Sequence, residues 1–284
     1  MQKKWIKNIL TLFFLAVFVY AAANLFLIWQ EYRQSDALYD AAQTEFLTAP
    51  ELEQEFETAE PITWPAFTID FAHLQGVNNE VQGWIWVYDT VINYPLVQSG
   101  RNNDAYLYKT YDGTSNSAGS IFMDYRNNSD FSDDNTVIYG HNMKNGKMFA
   151  CLKKFGHQEF YDAHQEFYIM TPEGNRRYEI VSAFQTDALS DIYDRSFATA
   201  EAKQKWLDKV IRRSAVLTTA TASAEDDFVT LSTCVSGNDY RARFVVIGRL
   251  AEIEPLYVEQ SETAANANPL LTQNRTESKK QRWV

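Results

Sequence analysis

Three short stretches of this 284-residue chain hold the side chains best suited to covalent chemistry. Thr136-Val-Ile-Tyr-Gly-His141 is an apolar run that passes through glycine into histidine, with Asn142 and Met143 after it. Thr230-Leu-Ser-Thr-Cys234 is a β-rich run ending on cysteine, and Val235-Ser-Gly-Asn-Asp239 reads as a turn. Arg241-Ala-Arg243 then opens a second apolar run, Phe244-Val-Val-Ile-Gly248. A cysteine and a histidine, each at a strand end, with an arginine nearby, supply a nucleophile, a proton carrier and an anion stabiliser. Acyl transfer from a peptide needs all three. Thiolate is the best side-chain nucleophile for it. Histidine titrates in the range where a leaving amine must take up a proton. Arginine offers five donors that stay charged to a tetrahedral oxyanion. Arg241 and Arg243 share strand parity, so the period-two alternation does not separate them. Spacing alone is weak support, because a cysteine beside a strand is more often an inert buried residue.

The elements that must position these residues are mainly β. From Phe67 onward the chain reads as short β-rich runs separated by turn residues. The runs are Gly83–Tyr88, Ser120–Met123, Thr136–Tyr139, Glu166–Met170, Arg177–Phe184, Phe228–Thr233 and Arg243–Leu250. Thr171-Pro-Glu-Gly-Asn175 reads as a hairpin turn between two of them. Short strands with few helices predict a closed barrel or a sandwich. One amphipathic helix interrupts the set at Thr199–Ser214, with Trp206, Leu207, Val210 and Ile211 on one face and charges opposite. No internal repeat is visible.

The N-terminus is of another kind. Residues 9–29, ILTLFFLAVFVYAAANLFLIW, carry no charge and are long enough to span the roughly 20-residue hydrocarbon core of a bilayer as a helix. Lys3, Lys4 and Lys7 precede the stretch, and Glu31, Arg33, Asp36 and Asp40 follow it. The positive-inside bias keeps residues 1–8 in the cytoplasm and puts the remainder outside. A cleaved signal peptide, cut after Ala21-Ala22-Ala23, is the rival. The anchor is preferred because the apolar run continues through Leu25–Trp29 beyond that site. Residues 30–66 are expected to be helical, as one or two helices broken near Thr48–Pro50. Residues 67–255 are the expected barrel domain, and 256–284, with few large apolar side chains, read as a disordered tail.

Composition narrows the function classes. Hydrophobic residues make up 45% and charged residues 22%, which suits a globular core and excludes wholesale disorder. The net charge of −11 lacks the basic footprint that phosphate backbones require, so no nucleic-acid partner is expected. Two cysteines exclude a disulfide scaffold and a cysteine-rich zinc module.

At the chemistry-bearing residues the sequence resembles a known family. Tyr139-Gly-His-Asn-Met143, continuing through Gly146 to Met148-Phe149 and Leu152, resembles the histidine region of class B sortases. Leu231-Ser-Thr-Cys234, followed by an arginine before an apolar strand, resembles their nucleophile signature. The resemblance spans about residues 40–252, and the two motifs in this order behind an N-terminal anchor make it specific. It implies the sortase β-barrel of about eight strands, with N-terminal helices and one longer helix in the connection before the cysteine strand. It implies a membrane-anchored extracellular cysteine transpeptidase. Such enzymes cut a C-terminal sorting signal of a secreted protein after its threonine, hold an acyl-thioester and pass it to an amine of the peptidoglycan precursor. Carried over, Cys234 is the nucleophile, His141 the general acid/base and Arg243 the stabiliser, since the family's arginine directly precedes the apolar run. Arg241 is then a solvated neighbour or a substrate-side contact. No cofactor and no metal are implied. An Asn-Pro-x-Thr type of signal on haem-uptake proteins is a family tendency. A pilin-polymerising sortase shares the same residues and differs in its acceptor, a hydrolytic cysteine protease would use water, and a non-catalytic extracellular binding module would keep Cys234 as a structural thiol.

The other candidates have plainer readings. Cys151 falls in a short helix at Met148–Phe155 and is expected to be a packed small residue, unpaired with Cys234. His73, His157 and His164 match no motif and are expected at the surface. Asp124–Asp134 reads as a solvated acidic loop, with a calcium-assisted loop of the class A type as the less favoured alternative. Ser232 and Thr233 either line the site or serve as β-formers. Asn268-Pro-Leu-Leu-Thr272 has the wrong spacing for a sorting signal and no apolar stretch behind it.

Overall fold

The computed structural model describes residues 2–48, 64–235 and 239–255. The expected tail and the Asn268–Thr272 stretch lie outside the described residues, as does most of the expected break after Thr48.

The apolar stretch and the segment after it form one uninterrupted helix, α1, Gln2–Phe46. No glycine or proline interrupts these 45 residues, and Ala, Leu and Glu are strong helix formers. Its length is about 67 Å at the usual rise per residue. Residues 5–30 are exposed all round, whereas Ser35, Tyr39, Ala42 and Phe46 are buried. Those four are spaced at i, i+4, i+7 and i+11, so one narrow face of the last turns docks on the barrel. The helix expected after the apolar stretch is present and continues the same helix to Phe46. The chain then leaves α1 through β1, Leu47–Thr48, which pairs antiparallel with β2, Thr68–Ile69. A short helix, α2, Phe71–Val77, follows, capped by Asp70, whose Oδ1 accepts from the His73 N–H at 2.9 Å.

Eight strands close into a barrel: β3 Val81–Trp86, β4 Asn93–Val97, β5 Ile121–Met123, β6 Asn135–Tyr139, β7 Glu166–Thr171, β8 Gly174–Asp187, β9 Phe228–Cys234 and β10 Ala242–Pro255. Around the barrel the order is β10-β8-β7-β3-β4-β5-β6-β9, and β9 pairs with β10 to close it. The fold is the mainly β closed barrel that the sequence predicts. β4–β5 and β6–β9 are parallel, and the other described pairings are antiparallel. The Thr171–Asn175 turn joins β7 to β8 as expected, with Thr171 opposite Gly174.

Trp84, Phe149, Phe155, Phe167 and Tyr178 fill the interior, with Phe167 and Tyr178 stacked at 5.1 Å between centroids. A second apolar cluster lies under α4, Ala200–Arg213, where Trp206, Leu207 and Val210 cover Val181, Val245 and Ile247. Thr199 caps α4, its hydroxyl accepting from the Ala202 N–H. The apolar face is narrower than the sequence suggests, because Ile211 remains 44% exposed. Cys151 is buried in a short 3-10 helix, Ala150–Gly156, and is unpaired, as expected. His73 and His157 are exposed, while His164 is half-buried and stacked on Phe160 at 4.1 Å.

The segment Asp124–Asp134 is exposed at Tyr125, Arg126, residues 128–130 and Ser132, as a solvated loop would be, but it is anchored at three buried positions. Asp124 is fully buried, and Asn127 and Phe131 are buried beside it. Arg126 grips the Asp124 carboxylate through Nε and Nη2 at 2.9 and 2.8 Å. Asn127 donates to Asp133 and to the Asn135 carbonyl. Asp130 is exposed and Asp133 half-buried, so it is the full burial of Asp124 that composition alone could not reveal.

Candidate active site

β6 and β9 run parallel, with Tyr139 opposite Ser232. One residue beyond that pair the Gly140 N–H donates to the Ser232 carbonyl at 3.1 Å. The Thr233 hydroxyl returns the contact to the Gly140 carbonyl at 2.8 Å. Gly140 is needed for its lack of a side chain: a Cβ there would lie 2.5 Å from Ile121 Cδ1 and 2.7 Å from Phe149 Cγ. The next residue, His141, is thus delivered to the end of the barrel where β9 ends at Cys234. On the other side β10 places Arg243 directly opposite Cys234 in the antiparallel register.

Cys234, His141 and Arg243 line one cavity of about 240 Å³, together with Leu107, Tyr193, Ser232 and Thr233. Cys234 is exposed and free of any disulfide, whereas the thiol of buried Cys151 is pushed up to about 11 by burial. A roomier hollow of about 430 Å³ beside Cys151 is lined by Asp89 and Lys154 but by no histidine or arginine, so it lacks a comparable set. Arg241 stands apart from the first cavity. It is exposed and pairs with Asp187 at 2.8 Å. Arg243 is half-buried, and its Nη1 donates to the carbonyls of Tyr240 and Ala242 at 2.8 and 3.1 Å.

His141 is held from behind. Its Nε2 lies 2.7 Å from the Leu107 carbonyl oxygen. A carbonyl only accepts, so Nε2 carries the proton and Nδ1 is the basic nitrogen of the neutral ring. The His141 carbonyl accepts from the Phe149 N–H at 2.9 Å, which fixes the backbone on the far side. Ser232 and Thr233 both line the cavity. The Ser232 hydroxyl is 2.9 Å from Tyr193 OH, and burial raises the Tyr193 phenol.

Nothing in the residue pattern singles out Asp124, which braces the cavity wall. Asn103 Nδ2 and Tyr139 OH both donate to its Oδ2, at 2.9 and 3.0 Å, and both residues line the cavity. Burial alone would raise this carboxyl, but the Arg126 and Asn103 hydrogen bonds and the Arg126 charge outweigh it and hold the group near 2. Among the described residues no group of three His, Cys, Asp or Glu side chains is placed to hold a metal ion.

The Sortase domain family matches residues 92–251. Sortase B of Listeria monocytogenes is 39% identical over 178 residues, covering 62% of this chain and 72% of that protein. The crystal structure of sortase B from B. anthracis in complex with AAEK1 is 34% identical with a TM-score of 0.67, covering 79% of this chain and 99% of that one. A 2.0 Å crystal structure of Staphylococcus aureus sortase B is 29% identical with a TM-score of 0.61, covering 65% and 87%. The family match covers more than half of the chain, and the barrel agrees with the solved structures. The chain belongs to the sortase family, in its class B, and is a cysteine transpeptidase of the cell-wall sorting type.

Proposed function

We propose that Cys234 is the nucleophile, His141 the general acid/base and Arg243 the oxyanion stabiliser of this transpeptidase. The observation that supports the reading is the shared cavity: one exposed thiol, one imidazole and one guanidinium converge on it from β9, the end of β6 and β10. The Cys234 thiolate attacks the carbonyl carbon of the threonine in a sorting signal. The carbonyl π electrons move onto oxygen, and the Arg243 guanidinium meets the charge as it forms. Collapse of this adduct breaks the peptide C–N bond. Protonated His141 gives its proton to the leaving amine, and a thioester remains on Cys234. An amine of the peptidoglycan precursor then attacks the thioester. Neutral His141 accepts a proton from that amine at Nδ1, the new amide forms and the Cys234 sulfur leaves as thiolate. The cycle closes with no cofactor and no net redox change.

In this reading the substrates are secreted proteins with a C-terminal threonine-containing signal, and the product is an isopeptide or peptide bond to the wall. Residues 9–29 of α1 serve as a single-pass anchor. Their exposed apolar surface and the lysines on the N-terminal side support a cytoplasmic N-terminus and an extracellular barrel. The test uses a panel of fluorogenic peptides of Leu-Pro-x-Thr-Gly and Asn-Pro-x-Thr-Asn form, with and without added amine, read by mass spectrometry. Cleavage after threonine with amine-linked product is expected, and it should vanish in Cys234→Ala. Cleavage that survives Cys234→Ala removes the nucleophile assignment.

A further inference from the structure

The docked end of α1 reaches the seat of His141. Tyr39 is buried among aromatic rings, 5.2 Å from Tyr94 and 5.9 Å from Tyr111 by centroid. Its hydroxyl donates to the Gly119 carbonyl at 2.5 Å, a contact across 80 residues of sequence. Burial raises the Tyr39 phenol, so it stays a neutral donor. Gly119 has φ +60, and a Cβ on it would lie 2.5 Å from the Leu107 carbonyl, 2.8 Å from the Tyr106 carbonyl and 3.0 Å from His141 Cδ2. The same Leu107 carbonyl holds His141 Nε2. The Nε2–Cδ2 edge of the imidazole therefore rests on a platform made by Leu107 and Gly119, and Tyr39 pins one side of that platform.

A second contact reaches the same turn. Glu31, two residues past the apolar stretch, accepts from the Ser117 N–H through Oε1 at 2.8 Å. Its carbonyl accepts from Asn116 Nδ2 at 3.3 Å. One helix thus holds residues 116–119 at Glu31 and at Tyr39, eight residues apart along its axis.

We propose that the docked C-terminal part of α1, from Glu31 to Phe46, belongs to the catalytic scaffold, and that Tyr39 is a positioning residue acting on His141 through Gly119. The segment that leaves the bilayer and the proton carrier then move as one body. This rests on the reading of His141 as general acid/base. Tyr39→Phe isolates the hydroxyl, because the ring and its packing stay.

The experiment uses the full chain in detergent micelles and a peptide of Asn-Pro-x-Thr-Asn form. Tyr39→Phe is expected to lower kcat about tenfold, less than the hundredfold that a 1 Å displacement of a catalytic group can cause, with KM changed less than about twofold. The His141 Nε2 proton resonance, assigned by its loss in His141→Ala, is expected to move. Tyr161→Phe is the control. It removes another buried hydroxyl, one that accepts from the Thr219 N–H at 2.9 Å and lies outside the cavity lining. That variant is expected to lose a few degrees of Tm with unchanged kcat. Wild-type kcat and an unmoved resonance in Tyr39→Phe, or an equal kcat loss in Tyr161→Phe, overturn the proposal while an inactive His141→Ala leaves the His141 reading standing. A fully active His141→Ala overturns both.

Discussion

Cys234 and Arg243 are cross-strand partners, the last residue of β9 opposite the second of β10. Directly opposed residues on an antiparallel pair have Cβ atoms about 5 Å apart, within reach of a long side chain. The guanidinium is thus tied to the thiol by strand register, not by a mobile loop. Replacing Arg243 with alanine is expected to lower kcat on the order of a hundredfold, the loss typical of a removed oxyanion donor. Arg241→Ala, which breaks only the exposed Asp187 pair, should stay within about threefold because exposed pairs contribute little. Steady-state kinetics on the two variants checks both values, and the reverse order would reassign the stabiliser.

The two thiols should react very differently. Cys234 is exposed, whereas Cys151 is buried with its thiol pushed up to about 11. At neutral pH iodoacetamide should label Cys234 within minutes and Cys151 only after denaturation. Peptide mapping of the alkylated sites reads this directly. Native labelling of Cys151 at a similar rate would contradict its burial.

Acid should loosen the wall of the cavity through Asp124. Its carboxyl titrates near 2 in the folded chain against an ordinary 3.8. The unfolded chain therefore takes up this proton first as pH falls. The stabilisation is full above about pH 4 and is lost as pH drops toward 2, with a total of about 2 kcal/mol. Asp124→Asn should flatten the fall in Tm over that window, and circular dichroism melts at stepped pH will show it.

Gly140 has no room for a methyl group, with Ile121 and Phe149 both within 2.7 Å of a built Cβ. Gly140→Ala should destabilise the chain by about 1–3 kcal/mol, as overpacking usually does. It should also reduce turnover, because the displaced backbone carries His141. Chemical denaturation and kinetics on the same preparation separate the two effects.

Much of this arrangement could be read from the residues, and the gaps have physical causes. The runs ending at His141 and Cys234 are short, β-branched and bounded by turn residues, so their strands were visible. β4 was not, because Pro95 interrupts Asn93–Val97 and proline ordinarily demotes a strand. The structure accommodates it, since the described β5 pairing begins only at Leu96. α2 and α3, Gln158–Ala163, escaped notice because helices of 7 and 6 residues barely show a 3.6-residue period. Asp124 looked like one acid among several. Its burial depends on Arg126, Asn103 and Tyr139 meeting it in three dimensions. The role of Tyr39 was equally hidden, since its partner Gly119 lies 80 residues away.

The central claim is that Cys234 carries the acyl group between donor and acceptor. The most direct measurement is the intact mass of the full chain, quenched in acid shortly after mixing with a peptide of Asn-Pro-x-Thr-Asn form and no added amine. The expected result is an adduct equal to the peptide fragment ending at threonine, mapped to Cys234, discharged by hydroxylamine and absent in Cys234→Ala. An adduct on any other residue, or cleavage with equal rate in Cys234→Ala, would contradict it.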